Sequence, residues 1–123
     1  MRLSIRAWRG NHYVSLSELL LLIGRFFAEN QWFVQVQEVA PEPGAELLEA
    51  CDPAKPLTID ELHRIAAPNI QIVDGQITAI GNDGKIYLLL HAVDSTSWDV
   101  ETDHTEALST IREVFSEAIE IPD

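Results

Sequence analysis

Cysteine is almost absent from this 123-residue sequence, and long apolar runs are missing altogether. The single thiol, Cys51, makes neither an internal disulfide nor a multi-cysteine zinc site, which favours a reducing compartment, and we expect the protein to be cytoplasmic. The longest apolar run extends only from Leu19 to Gly24, far short of the ~20 residues that span a bilayer. No secretory signal is predicted either, because the first residues are charged without a following apolar region. A membrane protein is therefore not expected.

Basic residues are scarce as well. Eight Lys and Arg residues stand against 20 Asp and Glu residues, which gives a formal net charge of −12. The acids concentrate near the C-terminus, where residues 94–123 contain nine acids and one arginine. Direct nucleic-acid binding is not expected, because affinity for phosphates comes from Lys and Arg. An acidic surface attracts a basic protein with fast, salt-sensitive association, although a solvated surface that only promotes solubility remains the alternative.

Sequence motifs that are typical of catalytic, metal-binding or cofactor-binding sites are also lacking. The sequence contains no glycine-rich phosphate loop, no Gly-x-Ser-x-Gly nucleophile motif and no histidine pair at helical i, i+4 spacing. No glycine follows Gly84, which excludes an EF-hand calcium loop in the C-terminal third. We therefore predict no catalytic residue, no metal site and no cofactor.

Hydrophobic periodicity predicts the elements of the first half of the chain. Alternation indicates strands at residues 2–8 and 31–39, while apolar residues at helical spacing behind a capping box indicate a helix over 16–29. Two short helices are predicted at residues 45–50 and 59–66, each next to a proline-containing loop.

The second half reads as consecutive strands. Asp74-Gly75 lies between two alternating segments, which predicts a type I′ hairpin turn, and residues 81–84 predict the next turn. Residues 85–93 are nearly all apolar, so we expect a central strand covered on both faces. A further short strand at 97–101 and a last helix, capped by Asp103 or Thr105 and extending to about Ile119, complete the chain. The sequence thus predicts one α+β domain over residues 1–123, an antiparallel meander packed with helices in the order β-α-β-α-α-β-β-β-α, to which the short strand at 97–101 would add one more β before the last helix.

A dense polar segment at residues 94–104 follows the predicted central strand. Because Asp, Ser and Thr bond to nearby backbone groups, we interpret it mainly as a turn and a helix cap. A hard-cation site formed by Asp99, Glu101 and Asp103 is the alternative, since alternate strand residues share a face. His91, within the apolar strand, is expected to be a buried histidine with a hydrogen-bond partner.

Acidic residues recur at helical spacing in the last predicted helix. At ~100° per residue, Glu106, Glu113, Glu117 and Glu120 would lie on one face. The acids of the preceding segment lead into that face, and Trp98 would be its natural anchor. The predicted protein-binding surface therefore comprises Trp98, Asp99, Glu101, Asp103, Glu106, Glu113, Glu117 and Glu120.

Three functional hypotheses follow. The first is a non-catalytic protein-binding domain, an acidic inhibitor or immunity-type protein that occludes a basic partner such as a nuclease toxin; only its composition resembles such proteins. The second is a structural or accessory subunit, with a possible homodimer, in which Trp8, Trp32 or Trp98 lies in an apolar interface. The third is a small metal-binding or hydrolytic enzyme that uses the Asp94–His104 segment with His91 or His104.

Overall fold

A six-stranded antiparallel sheet is the frame of the computed structural model, which describes residues 1–122. The strands of the chain are β1 (Arg2–Arg6), β2 (Trp8–Arg9), β3 (His12–Tyr13), β4 (Gln31–Val39), β5 (Ile72–Ile80), β6 (Ile86–Val93), β7 (Ser97–Glu101) and β8 (Ile119–Ile121). The large sheet has the order β4-β5-β6-β7-β1-β8, and β2 pairs with β3 in a separate hairpin. The predicted α+β fold with an antiparallel meander is confirmed.

Four helices accompany the sheet: α1 (Leu16–Ile23), α2 (Ala45–Glu49), α3 (Ile59–Ala66) and α4 (Thr105–Val114). The capping box that begins α1 is present, since the Ser15 hydroxyl accepts from the Glu18 amide at 3.3 Å and the Glu18 carboxylate accepts from the Ser15 amide. Thr58 and Glu61 form the same motif ahead of α3. None of the helices within residues 1–122 is long and apolar enough to cross a membrane.

The two faces of the sheet have different surroundings. On one, the covered face, helices pack against strand side chains such as Ile5, Leu90 and Trp98, each of which is at most 1% exposed. On the other, the open face, side chains such as Leu89 and His91 are half-buried and meet solvent. The expectation that residues 85–93 are covered on both faces is therefore wrong, because the helices all contribute to one core.

The predicted hairpin at Asp74-Gly75 is also wrong. β5 continues through this pair, and Gly75 lies between Val36 of β4 and Ala92 of β6. A Cβ atom on Gly75 would lie 3.2 Å from the Val36 Cα atom, so the glycine permits close strand approach where the β4–β5 register shifts. The turn that does reverse the chain is the predicted one at residues 81–84, in which Gly84 has φ of +79°.

Two predicted helices end early. α1 stops at Ile23 and tightens into a 3-10 helix at Gly24–Phe27, as helix C-termini often do. α4 ends at Val114, because Phe115 leaves the helical region with φ −116° and ψ 80°. Its N-cap is His104, whose Nδ1 accepts from the Ala107 amide at 3.2 Å, rather than Asp103 or Thr105. The chain then forms β8, an edge strand that the sequence did not predict, paired with β1.

Candidate functional site

The predicted acidic ridge does not exist as one helical face. Because α4 ends at Val114, only Glu106 and Glu113 share that helix, while Glu117 lies in the following turn and Glu120 on β8. Asp99 and Glu101 lie elsewhere, on the open face, since they alternate along β7 with the buried Trp98 and Val100. The eight predicted residues are thus divided between the two faces of the sheet and the segments beyond it.

Cationic groups neutralise part of this region. Asp103 lies 3.1 Å from the amino terminus of Met1, Glu117 lies 3.3 Å from Arg9, and Glu120 lies 3.9 Å from Arg112. Such exposed pairs stabilise the fold by about 0–1 kcal/mol each. Their main consequence is electrostatic, because each one cancels a charge that the predicted ridge would have presented to a partner.

Trp98 is not a surface anchor, so that prediction is wrong. Its side chain is fully buried, and its indole Nε1 donates to the Val14 carbonyl at 2.8 Å. Trp32 is also fully buried. Only Trp8, which is 40% exposed and packs edge-to-face on Tyr13, is accessible to a partner.

The polar segment after β6 is a tightly bonded turn, as the sequence predicts. Asp94 and Ser95 both have positive φ, +49° and +57°. The Ser95 amide donates to the Val73 carbonyl at 2.9 Å, and its hydroxyl accepts from Gln71 Nε2 at 2.9 Å. The Thr96 hydroxyl donates to the Val93 carbonyl. Both hydroxyls are engaged in hydrogen bonds, that of Ser95 to the segment before β5 and that of Thr96 within the turn, which leaves them poorly suited to nucleophilic attack.

A different group of carboxylates gathers next to this turn. Glu38 is the register partner of Asp74, Asp74 accepts from the Asp94 amide at 3.1 Å, and Glu42 accepts from the amide of Gln71. We call Glu38, Glu42, Asp74 and Asp94 the acidic corner. No Lys or Arg within residues 1–122 forms an ion pair with any of them, and like charges on paired strands repel.

Sequence reasoning missed the acidic corner because its members come from three separate segments of the chain. One signal was available: residues 38–61 contain seven acids and a single lysine, a concentration comparable to that of the C-terminal segment. The pairing of Glu38 with Asp74, however, follows from the β4–β5 register. The incorrectly predicted turn at Asp74-Gly75 is incompatible with that register.

The histidines and carboxylates do not assemble a metal centre. His91 and Asp99 are register partners on the open face, while His104 packs against Phe26 with ring centroids 4.8 Å apart. Within the described part of the chain, no group of three or more His, Cys, Asp or Glu side chains is placed to hold a metal ion. Asp99, Glu101 and Asp103 therefore do not form the cation site that was the alternative interpretation of the segment.

A pocket of about 700 Å³ opens where β6 begins and β7 ends, with the 3-10 helix beside it. Thr102, its best-placed hydroxyl, donates to the Tyr87 carbonyl at 2.6 Å and is not free to act as a nucleophile. The two acids of the lining, Glu101 and Asp103, are matched in number by Lys85 and the amino terminus of Met1, so the lining carries no net charge. Other lining residues are Phe26, Phe27, Asn30, Ile86, Leu89 and His104.

Burial favours the neutral form of two ionisable groups. Burial raises the pKa of Tyr13 to about 12 against the opposing effect of its backbone hydrogen bonds; its hydroxyl donates to the Ile72 carbonyl and accepts from the Ile72 amide. Burial also raises the pKa of the Cys51 thiol, which disfavours the reactive thiolate. Tyr13 thus fastens the β3 hairpin to β5, and Cys51 is an inert, half-buried thiol.

Comparison with protein-family models, with curated proteins and with solved structures finds no match for this chain. Its function must therefore be argued from its own surface.

Proposed function

We propose that this chain is a non-catalytic protein-binding domain, an acidic inhibitor or immunity-type protein that occludes a basic partner such as a nuclease toxin. One observation carries the proposal. Within residues 1–122 no carboxylate is buried, and only Asp103, Glu117 and Glu120 lie within 4.0 Å of an arginine or of the amino terminus. The remaining acids keep their charge at the surface, where it acts on other molecules.

The surface carboxylates that have no cationic partner have a defined physical effect. They attract cationic proteins over distances of about a Debye length, which is ~8 Å at physiological ionic strength. Association is thereby accelerated, and wrong partners with acidic surfaces are rejected. A cytoplasmic location, which the lone free thiol favours, belongs to the same proposal.

The acidic corner is the part of the surface that we expect to contribute most. Within residues 1–122 no Lys or Arg lies within 4.0 Å of its four carboxylates, whereas three members of the predicted ridge have a cationic partner. Glu38 and Asp74 stand on strands and Asp94 in a tight turn, while Glu42 is held by the Gln71 amide, so less side-chain and backbone freedom is lost when a partner binds.

A matched pair of triple variants tests the proposal. The first is Glu38→Gln/Glu42→Gln/Asp94→Asn in the acidic corner, and the second is Glu106→Gln/Glu113→Gln/Glu120→Gln in the former ridge. Both remove three negative charges without changing side-chain size. The partner is captured from the native cell, identified and purified, and its dissociation constant is measured by titration calorimetry from 50 to 500 mM NaCl.

We expect affinity for a basic partner to fall at least tenfold over this salt range. The corner variant should weaken binding about tenfold. The ridge variant should weaken it about threefold or less, because each charge lost at the rim of an interface has a small effect on affinity. Affinity that does not depend on salt, or that neither variant changes, would contradict the proposal. A greater loss in the ridge variant would move the binding surface to the C-terminal segment.

A further inference from the structure

We propose that the open face of the sheet binds a second copy of this chain, in a symmetric dimer whose twofold axis runs along β6 and β7. This goes beyond the proposed function and does not depend on it, although the two surfaces share one residue, Asp74. The sheet order β4-β5-β6-β7-β1-β8 places the proposed axis at its centre. Rotation about that axis sets β4 against β8 of the other copy, β5 against β1, and β6 against β7, and the strand registers then specify which residues meet.

The chemistry of the open face is complementary to itself under this rotation. Extending the β5–β6 register one residue beyond Gly75↔Ala92 sets Asp74 opposite Val93, which is linked through Ser97 to Arg6. By this extension Asp74 on β5 meets Arg6 on β1 of the other copy. An acid thus faces a base twice in each dimer. Within one chain the two side chains lie three strands apart, about 14 Å, so they cannot satisfy each other.

The other rows follow the same rule. Phe33 and Ile121 stand at the two ends of one row, so rotation brings apolar side chains together at both margins of the face. In the middle row His91 meets Asp99 of the other copy. Two positions are mismatched, since Leu89 meets Glu101 near the axis and Gln35 meets Ile119 at the margin, and these mismatches limit affinity.

The shape of the sheet permits the contact. Strand twist gives a sheet the form of a saddle, and a saddle coincides with itself after a half-turn about an axis along its central strands. Two open faces therefore nest, much as stacked sheets pack about 10 Å apart in a sandwich. Two properties of this face, the Asp74–Arg6 charge pair and the apolar Phe33–Ile121 pair at its margins, thus favour one occupant, a second copy, and the general twist of a sheet permits it.

The size of the face sets the expected strength. Six strands by five residues give a footprint of about 29 by 17 Å, which is small compared with the ~800 Å² per partner of a standard interface. The net charge of −12 per chain opposes association further, although 0.15 M salt screens most of that repulsion. We therefore expect a dissociation constant on the order of 10 to 100 μM.

Charge reversal gives a test that only a symmetric open-face dimer passes. Arg6→Glu alone places two acids against each other at both Asp74 contacts, and Asp74→Arg alone does the same with two bases. By sedimentation equilibrium at concentrations up to 200 μM, each variant alone should contain far less dimer than the wild type. An equimolar mixture should form a heterodimer, because both contacts then join opposite charges. Wild-type protein should dimerise, with the two single variants at least tenfold weaker.

Apolar variants supply the second measurement and keep the test valid if a charge variant fails to fold. Ile119 is 64% exposed on the open face and Leu21 is 70% exposed on α1. Ile119→Asp should weaken the dimer at least fivefold, whereas the matched control Leu21→Asp should not change it. A wild-type chain that remains monomeric at 200 μM would overturn the proposal. So would a dimer unaffected by Arg6→Glu and Ile119→Asp, or a mixture in which no heterodimer forms.

The dimer and the proposed function fail separately. Arg6→Glu removes no carboxylate and leaves the acidic corner intact, so a monomeric Arg6→Glu chain should still bind its basic partner in a salt-dependent manner. A variant that loses dimerisation but still binds its partner therefore tests the open face alone.

Discussion

The covered and open faces of the sheet are built from the same strands but have opposite character. Trp98 and Asp99 are neighbours in sequence, yet Trp98 is fully buried under the helices while Asp99 lies on the open face beside His91. The neighbouring strands β1 and β6 repeat this division, because successive side chains point to opposite sides. One face therefore carries the packing that defines the fold, and the other is free to carry polar and charged groups that packing does not require.

The largest expected contrast comes from truncating these two neighbours. Trp98→Ala should lower the free energy of unfolding by about 4 kcal/mol, since it leaves a large cavity and removes the indole donor to the Val14 carbonyl. Asp99→Ala should change it by less than about 0.5 kcal/mol, as is usual for surface substitutions. Urea denaturation of both variants measures the difference. Comparable losses in the two variants would show that the open face is as important for folding as the covered face.

A smaller effect is expected at Tyr13, which lies on the helix side and bonds to the Ile72 backbone. Because burial raises the pKa of this residue to about 12 in the folded state, the folded protein holds the phenolic proton more tightly than the unfolded chain. Stability should therefore be unaffected by this group up to pH 9 and fall between about pH 10 and 12. The loss should reach about 1–2 kcal/mol after allowance for partial exposure.

Tyr13→Phe provides the matched control. It should cost about 1–2 kcal/mol at pH 7, since the amide and carbonyl of Ile72 lose their shared partner. It should also remove this residue's part of the decline above pH 10, when thermal melting is followed across the pH range. A decline of the same size in both proteins would assign it to other groups.

The smallest effect is expected at Asp94, in the turn between β6 and β7 that determines which β7 side chains point to each face of the sheet. Asp94 has φ of +49°, a conformation that costs a non-glycine residue about 1–2 kcal/mol. Asp94→Gly should therefore raise stability by about 0.5 kcal/mol after the greater freedom of the unfolded chain is deducted. Asp94→Ala, which retains the steric cost, should give no gain. Calorimetric melting distinguishes the two, and equal behaviour would contradict this view of the turn.

Local signals in the sequence were sufficient for much of the fold. Both capping boxes begin helices where predicted, and β4 occupies residues 31–39 as its alternation indicates. These features depend on neighbours within four residues. The Asp74-Gly75 pair shows the opposite case, because its glycine is required by Val36, 39 positions away, and no local pattern records that contact.

The candidate surface was less predictable than the fold for the same reason. Helical spacing suggested a continuous ridge from Glu106 to Glu120, but the chain leaves the helix at Phe115 so that Ile119 and Ile121 can complete the sheet. Trp98 appeared exposed because of its polar neighbours, whereas alternation along β7 places it in the core. The acidic corner and the self-complementary open face arise from strand order, which is a property of the whole chain.

Concentration-dependent NMR spectra test most directly whether the open face is the free and self-associating one. Backbone amide shifts recorded between 10 and 500 μM should change on the open face, around His91, Asp99 and Arg6, with a midpoint in the micromolar range. Amides of α1 and α3 should not shift. Shift changes centred on those helices, or no changes over the whole range, would contradict the view that the covered face stabilises the fold while the open face self-associates.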